Sequence, residues 1–229
     1  MTSIDSSLSI NDDGWCSSLP RPLCPNFDAR PADTPISLLV IHNISLPPGE
    51  FGGSWIEALF SNTLDCDAHP YFDQLRGVKV SAHFLVRRDG RVLQFVSAND
   101  RAWHAGVSEF RGRQRCNDFS VGIELEGSDF ENFCDSQYQS LAILTSSLTA
   151  KYPIADVVGH QHIAPDRKTD PGPFFDWQRF QREFLAETLG QFGRASSQCV
   201  LRFPELKKRL QVARPGTRIS VHLREFHYI

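Results

Sequence analysis

A mixed α/β domain is the fold class this sequence predicts: one β-sheet with parallel and antiparallel parts, covered by helices. Three observations predict it. Residues 82–86 and 92–96 are strand-like runs on either side of Asp89-Gly90, a pair that favours a two-residue type I′ turn and so an antiparallel hairpin. Two further strand-like segments, residues 36–41 and 119–126, stand far apart in the chain. Helical patterns at 55–60, 135–151 and 175–189 alternate with them, as in sheets whose strands are joined by crossovers.

Taken in order, residues 1–35 are polar and rich in Pro, Asp and Ser, an N-terminal arm laid on the domain with Trp15 as its anchor. The apolar run 36–41 reads as a buried strand that ends at His42. A loop with Pro47-Pro48-Gly49 and Gly52-Gly53 follows, and Ser54 is placed to cap the helix 55–60. Residues 65–77 read as irregular, Trp103-His104-Ala105-Gly106 as a tight aromatic corner, and 111–115 as a basic loop. In the strand 119–126, alternation puts Val121, Ile123 and Leu125 on one face and Gly122, Glu124 and Glu126 on the other. Asp135 is placed to cap the helix that follows, with Tyr138, Leu141, Leu144 and Leu148 along one side. Residues 159–173 hold two imidazoles, a lysine, three prolines and two glycines, and read as a rigid loop that aims side chains at one point. Asp176 caps the last helix. The domain therefore spans 36–190. Residues 191–229 read as a basic tail or small add-on outside the core.

Composition narrows the function classes. The 229 residues, 41% hydrophobic and 22% charged, suit one globular domain with appendages. The net charge of −3 conceals an asymmetry: from Gly190 onward there are eight Lys/Arg against two Glu, which leaves 16 basic and 25 acidic residues before it. An acidic body argues against nucleic acid as a partner. No apolar run approaches a membrane span, and residues 1–13 lack the basic and apolar regions of a signal peptide. The six cysteines have no paired spacing, which points to free thiols in a reducing compartment. A cytoplasmic protein is expected.

The side chains able to bind metal are His42, His83, His104, His160, His162 and Asp170. A hydrolytic zinc site uses three protein ligands and one open position, and lowers the pKa of water there. His42 ends one strand, His160 follows another, and Asp170 lies ten residues on across a proline-rich turn. A carboxylate on the polar face of strand 119–126, Glu124 or Glu126, can accept a proton from water and deliver it to a leaving amine. Lys168, if turned inward, can stabilise an oxyanion.

These segments carry a resemblance. The runs 39–53, 81–83, 101–106, 116–127 and 159–173 are similar, in order, to those of the AmpD-type N-acetylmuramoyl-L-alanine amidases, zinc enzymes of the type 2 amidase family related to peptidoglycan recognition proteins. The resemblance covers about residues 15–184 and implies the mixed-sheet amidase fold. It implies one zinc ion (Zn2+) per chain on His42, His160 and Asp170, with Glu124 as the catalytic carboxylate and Lys168 assisting at the carbonyl. It puts Asn43 and Trp103 in the sugar and amide subsites, and Arg115 on a carboxylate of the stem peptide, with Lys79 near another such position. It gives His83, His104 and Glu126 no catalytic part. The implied substrate is an anhydromuramyl peptide from cell-wall turnover, cut between the lactyl group of 1,6-anhydro-N-acetylmuramic acid and L-alanine by a monomer. The sequence departs from the family at His162, where an acidic residue is usual. Two residues from His160 on an extended segment, His162 could face the same way. Two other functions compete: a module that binds muropeptides without cutting them, and an exported amidase acting on the intact wall.

Overall fold

The computed structural model describes residues 8–192 and 201–204. Strand β1 (Phe27–Ala29) is followed by β2 (Leu38–Ile44), helix α1 (Trp55–Phe60), β3 (Phe84–Val86), β4 (Val92–Gln94), β5 (Asp100–Ala102), β6 (Glu109–Phe110), β7 (Arg113–Gln114), β8 (Ser120–Glu126), α2 (Asp135–Lys151), β9 (Asp156–Gly159), α3 (His160–Ile163) and α4 (Trp177–Phe192). The main sheet has the order β4-β3-β8-β2-β9. Strands β3, β8, β2 and β9 are parallel, and β4 adds an antiparallel edge. This is the mixed sheet that the hairpin and the crossovers predict.

Period-two alternation sorts the two faces of the sheet. On one face Leu39, Ile41, Val121, Ile123 and Leu125 join Leu141, Leu144 and Leu148 of α2 and Phe180 and Phe184 of α4 in the largest core. On the other face Leu38, Val40 and Val158 pack with Phe119 and Ile163. A third cluster seats Ile56, Leu59 and Phe60 of α1 against Leu85, Leu93 and Phe95. Asp176 Oδ1 accepts from the Arg179 amide and caps α4, as its position suggests. Helix α2 begins at Asp135, one residue after its cap: Cys134 is the N-cap residue, and Gln137 closes the box by accepting from the Cys134 amide.

Four further local expectations are corrected. The β3–β4 connection is not a two-residue type I′ turn. Gly90 is left-handed (φ 86) but Asp89 is not; the Gly90 amide bonds Arg87 O and the Arg87 amide bonds Arg91 O. Asp89 avoids the steric cost of positive φ and its carboxylate accepts from the Arg91 amide. Residues Pro70–Leu75, within a segment that reads as irregular, form a 3-10 helix with Pro70 at its start. Segment 159–173 opens with one turn of helix, α3, before its prolines impose the loop. Leu201 is buried in the largest core, Phe203 packs on Phe180 and Phe184, and Arg202 forms a bidentate pair with Asp156 of β9. The expectation that nothing after residue 190 joins the core is therefore corrected at 201–203; the rest of the expected tail lies outside the described residues, apart from the last turn of α4 and Pro204.

The N-terminal segment also enters the fold. Leu8, Ile10 and Cys16 are core residues, and β1 pairs with β5. Arg30 donates to the carbonyls of Ala98, Asn117, Asp118 and Ser120. The cysteines among the described residues, Cys16, Cys24, Cys66, Cys116 and Cys134, are free; Cys199 lies outside them. No helix among the described residues is long and apolar enough to cross a membrane.

Candidate active site

A cavity of about 270 Å³ opens at the carboxyl ends of the parallel strands, the usual ligand position on such sheets. His42, Asn43, Trp103, Glu124, His160, Lys168 and Asp170 all line it. Arg115, assigned to the substrate in the sequence, stays off the lining, as do His83, His162 and Glu126. The Arg115 side chain is 70% exposed, and its guanidinium meets Asp118 at 3.2 Å.

Strand β2 delivers His42 on the face opposite its core residues Leu39 and Ile41. Strand β9 ends at Gly159, so His160 opens α3 beside it. The turn 164–170 brings Asp170 back; its carbonyl accepts from the Gln161 amide. Three atoms then converge. His42 Nδ1 lies 3.1 Å from His160 Nδ1 and 3.0 Å from Asp170 Oδ2, and His160 Nδ1 lies 3.2 Å from the same oxygen. A tetrahedral centre with bonds of about 2.0–2.1 Å has ligand–ligand edges of roughly 3.3 Å. The triangle matches that size to within a few tenths of an ångström.

His160 Nε2 faces the Ala105 carbonyl at 3.1 Å, and a carbonyl can only accept. The proton of neutral His160 therefore sits on Nε2, and Nδ1 presents a lone pair to the triangle. His162 is turned elsewhere. Its Nδ1 accepts from the Gly159 amide at 2.8 Å and its ring packs on Trp177. His83 Nδ1 likewise accepts from the Gly122 amide. Among the described residues, His42, His160 and Asp170 form the cluster able to hold a metal ion.

Burial shapes the electrostatics. It draws the His42 pKa down to about 4, helped by His160 and opposed by Asp170. Burial, with Asp170 nearby, lifts Glu124 well above the ordinary glutamate range, while Lys168 opposes the shift. Lys168 is lowered by burial, against the pull of Asp170 and Glu124. Glu124 Oε2 is buried without a partner among the described residues. Glu126, by contrast, is fully engaged: it accepts from Arg87 Nη1 at 2.7 Å, the Gly52 amide at 2.7 Å and the Arg88 amide at 3.1 Å.

Sequence reasoning missed several parts of the site. Asn117 lines the cavity and its Oδ1 accepts from the His104 and Ala105 amides. Arg167 lines it too and donates to the Ala105 and Val107 carbonyls. Asp129, unmarked in the sequence, accepts from Asn43 at 2.7 Å. Leu59, Phe60, Tyr71 and Val80 make part of the wall apolar. No local pattern marks Asn117, Asp129 or Arg167, because each acts through a partner distant in the chain.

A profile of the N-acetylmuramoyl-L-alanine amidase family matches residues 32–173. The chain belongs to that family. Amidases similar to it include the 1,6-anhydro-N-acetylmuramyl-L-alanine amidase AmpD of Salmonella typhimurium strain SL1344, 60% identical over 75% of this chain and 93% of the relative. The AmpD of Escherichia coli K12 is 56% identical over 77% of this chain and 98% of the relative. Among solved structures, a crystal structure of a selenomethionine AmpD derivative superposes with a TM-score of 0.73 at 57% identity, covering 75% of this chain and 97% of that one. The mixed sheet with its helices is thus the amidase fold.

Proposed function

We propose that this amidase hydrolyses the amide between the lactyl group of 1,6-anhydro-N-acetylmuramic acid and L-alanine in muropeptides, using one zinc ion per chain. The bond assignment is supported by relatives of 54–60% identity that carry this activity in their names. The observation that carries the chemistry is the 3.0–3.2 Å triangle of His42, His160 and Asp170 beside a carboxylate with an unsatisfied oxygen.

His42, His160 and Asp170 would hold the zinc, which supplies a Lewis acid that activates water and polarises the scissile carbonyl. Glu124 takes a proton from the attacking water and passes it to the departing alanine nitrogen. A carboxylate made more basic by burial suits that task. Lys168 places its cation where negative charge develops on the carbonyl oxygen. Asn43 and Trp103 bind the sugar and amide ends of the substrate, and Arg115 meets a carboxylate of the stem peptide outside the cavity. We divide the chain into an arm (1–35), the catalytic domain (36–190) and a basic tail (191–229). We place the enzyme in the cytoplasm as a monomer that recycles cell-wall fragments.

Metal analysis tests the ligand set. The wild-type protein should hold one zinc per chain and His42→Ala much less. Full zinc occupancy in His42→Ala would overturn the assignment.

A further inference from the structure

The two histidines of the triangle are supported differently from behind. His160 meets a main-chain carbonyl directly. His42 instead meets another imidazole: its Nε2 lies 3.0 Å from His104 Nδ1. An imidazole can accept or donate at that atom, so the contact alone does not say which nitrogen of His42 carries the proton.

The next link decides it. Ser120 Oγ lies 2.6 Å from the Cys116 carbonyl and 3.1 Å from His104 Nε2. A hydroxyl has one proton, and the carbonyl can only accept it. Both contacts are hydrogen bonds only if Ser120 donates to Cys116 O and accepts from His104 Nε2–H. Neutral His104 then has a lone pair on Nδ1. It can only accept there, so His42 must donate from Nε2. His42 Nδ1 is left without a proton, facing His160 Nδ1 and Asp170 Oδ2.

The surroundings hold this chain of bonds in place. His42, His104 and Ser120 are all buried. The two ring nitrogens of His104 meet an imidazole and a hydroxyl, neither of them a carboxylate that would hold the ring as a cation. Gly122 of β8 makes room for the ring: a Cβ there would meet His104 Cγ at 2.4 Å. Arg30 of the N-terminal segment ties down the same turn through the Asn117, Asp118 and Ser120 carbonyls.

We infer that His104 and Ser120 are positioning residues that fix the tautomer of His42, so that Nδ1 presents its lone pair to the metal. The inference rests on the zinc reading above for its purpose, but its hydrogen-bond directions do not depend on it. Three lone-pair atoms held within 3.2 Å repel one another, and a cation between them removes that repulsion. A partner behind a ligating histidine fixes ring and tautomer, and its loss typically costs about 10–100-fold in metal affinity.

Nitrogen NMR of full-length, 15N-labelled protein tests the directions, both metal-free and with one equivalent of zinc. His42 and His104 should both be Nε2–H tautomers, with a scalar coupling between His42 Nε2 and His104 Nδ1. His42 protonated on Nδ1 in the metal-free protein would overturn the inference. Zinc affinity by chelator competition tests the purpose. His104→Phe keeps a ring but no acceptor and should weaken zinc about 10–100-fold. His104→Asn, whose Oδ1 takes roughly the place of Nδ1, should recover most of that loss. Unchanged affinity in folded His104→Phe would also overturn it. A wild-type protein that takes up no zinc would instead defeat the zinc reading, leaving the tautomers to be read in the metal-free spectra.

Discussion

His42 and Glu124 are register partners across the parallel pair β2–β8. Partners in a parallel pair present their side chains on the same face, so one ladder sets the distance between a candidate metal ligand and a candidate base. The same ladder pairs Ile44 with Glu126, but Arg87 and two backbone amides occupy that carboxylate. Glu124→Gln should therefore keep fold and zinc and lose about 10²–10⁴-fold in kcat, the scale of general-base loss. Glu126→Gln should leave kcat within a few-fold and lower the unfolding free energy by roughly 1.5–3 kcal/mol, since it weakens buried hydrogen bonds to a charge. Kinetics and urea denaturation of both variants check the division; the reverse ranking would refute it.

The His162 imidazole caps the Gly159 amide and leaves the triangle to His160. His162→Ala should keep full zinc, with a modest stability cost of about 0.5–2 kcal/mol for the lost cap-like contact. Zinc loss matching that of His42→Ala would mean that His162 ligates.

The pH profile should carry the imprint of burial. Glu124 works as a base only when ionised, so activity falls as pH drops through its pKa. Burial and Asp170 raise that pKa, which puts the acid limb of kcat/KM above the ordinary glutamate value of about 4.3. Lys168 opposes the shift. Lys168→Met removes the cation, so it should cut kcat by about 10²–10³-fold and move the acid limb to higher pH. A limb that stays put or moves down would contradict the assigned charges.

Core and catalysis should separate at residue 201. Leu201→Ala removes a buried side chain from the largest core and should cost about 2–4 kcal/mol of stability. Every proposed catalytic group lies before residue 171, so kcat per folded molecule should not change. Thermal melts and active-site-normalised rates distinguish this from a tail that forms part of the site.

The contact proposed for Arg115 lies outside the cavity. An exposed guanidinium is screened, so Arg115→Ala should raise KM for a peptide with a distal carboxylate by only about fivefold, roughly 1 kcal/mol. A fragment cut back to muramyl-L-alanine should lose nothing. Equal losses on both substrates would show that Arg115 does not read the peptide.

What the sequence revealed, and what it hid, follows from the range of each interaction. Strand periodicity put Glu124 and Glu126 on one face and placed His42 and His160 near the ends of apolar strands, but the choice of Glu124 and of the ligand set came from the family resemblance. The proline-rich turn allowed Asp170 to fold back toward His160, without marking it as a ligand. The Ser120–His104–His42 chain was not legible, since its members are up to 78 residues apart and joined by hydrogen bonds that leave no local pattern. Leu201 was hidden by the basic residues that follow it. The Asp89-Gly90 turn was placed correctly but given the wrong type: Gly90 has the positive φ expected and Asp89 does not, because Asp-Gly serves more than one turn geometry. Arg30 looked like part of a surface arm, yet it donates to four carbonyls around the site.

The chemistry proposed for this site is metal-dependent hydrolysis at one bond. Mass spectrometry of the products from an anhydromuramyl tripeptide in 18O-labelled water tests it most directly, with and without a chelator. The products should be free peptide beginning at L-alanine and 1,6-anhydro-N-acetylmuramic acid with one 18O in its lactyl carboxylate. A chelator should abolish both products and zinc should restore them. Cleavage within the peptide, no cleavage, or full activity after the metal is removed would contradict it.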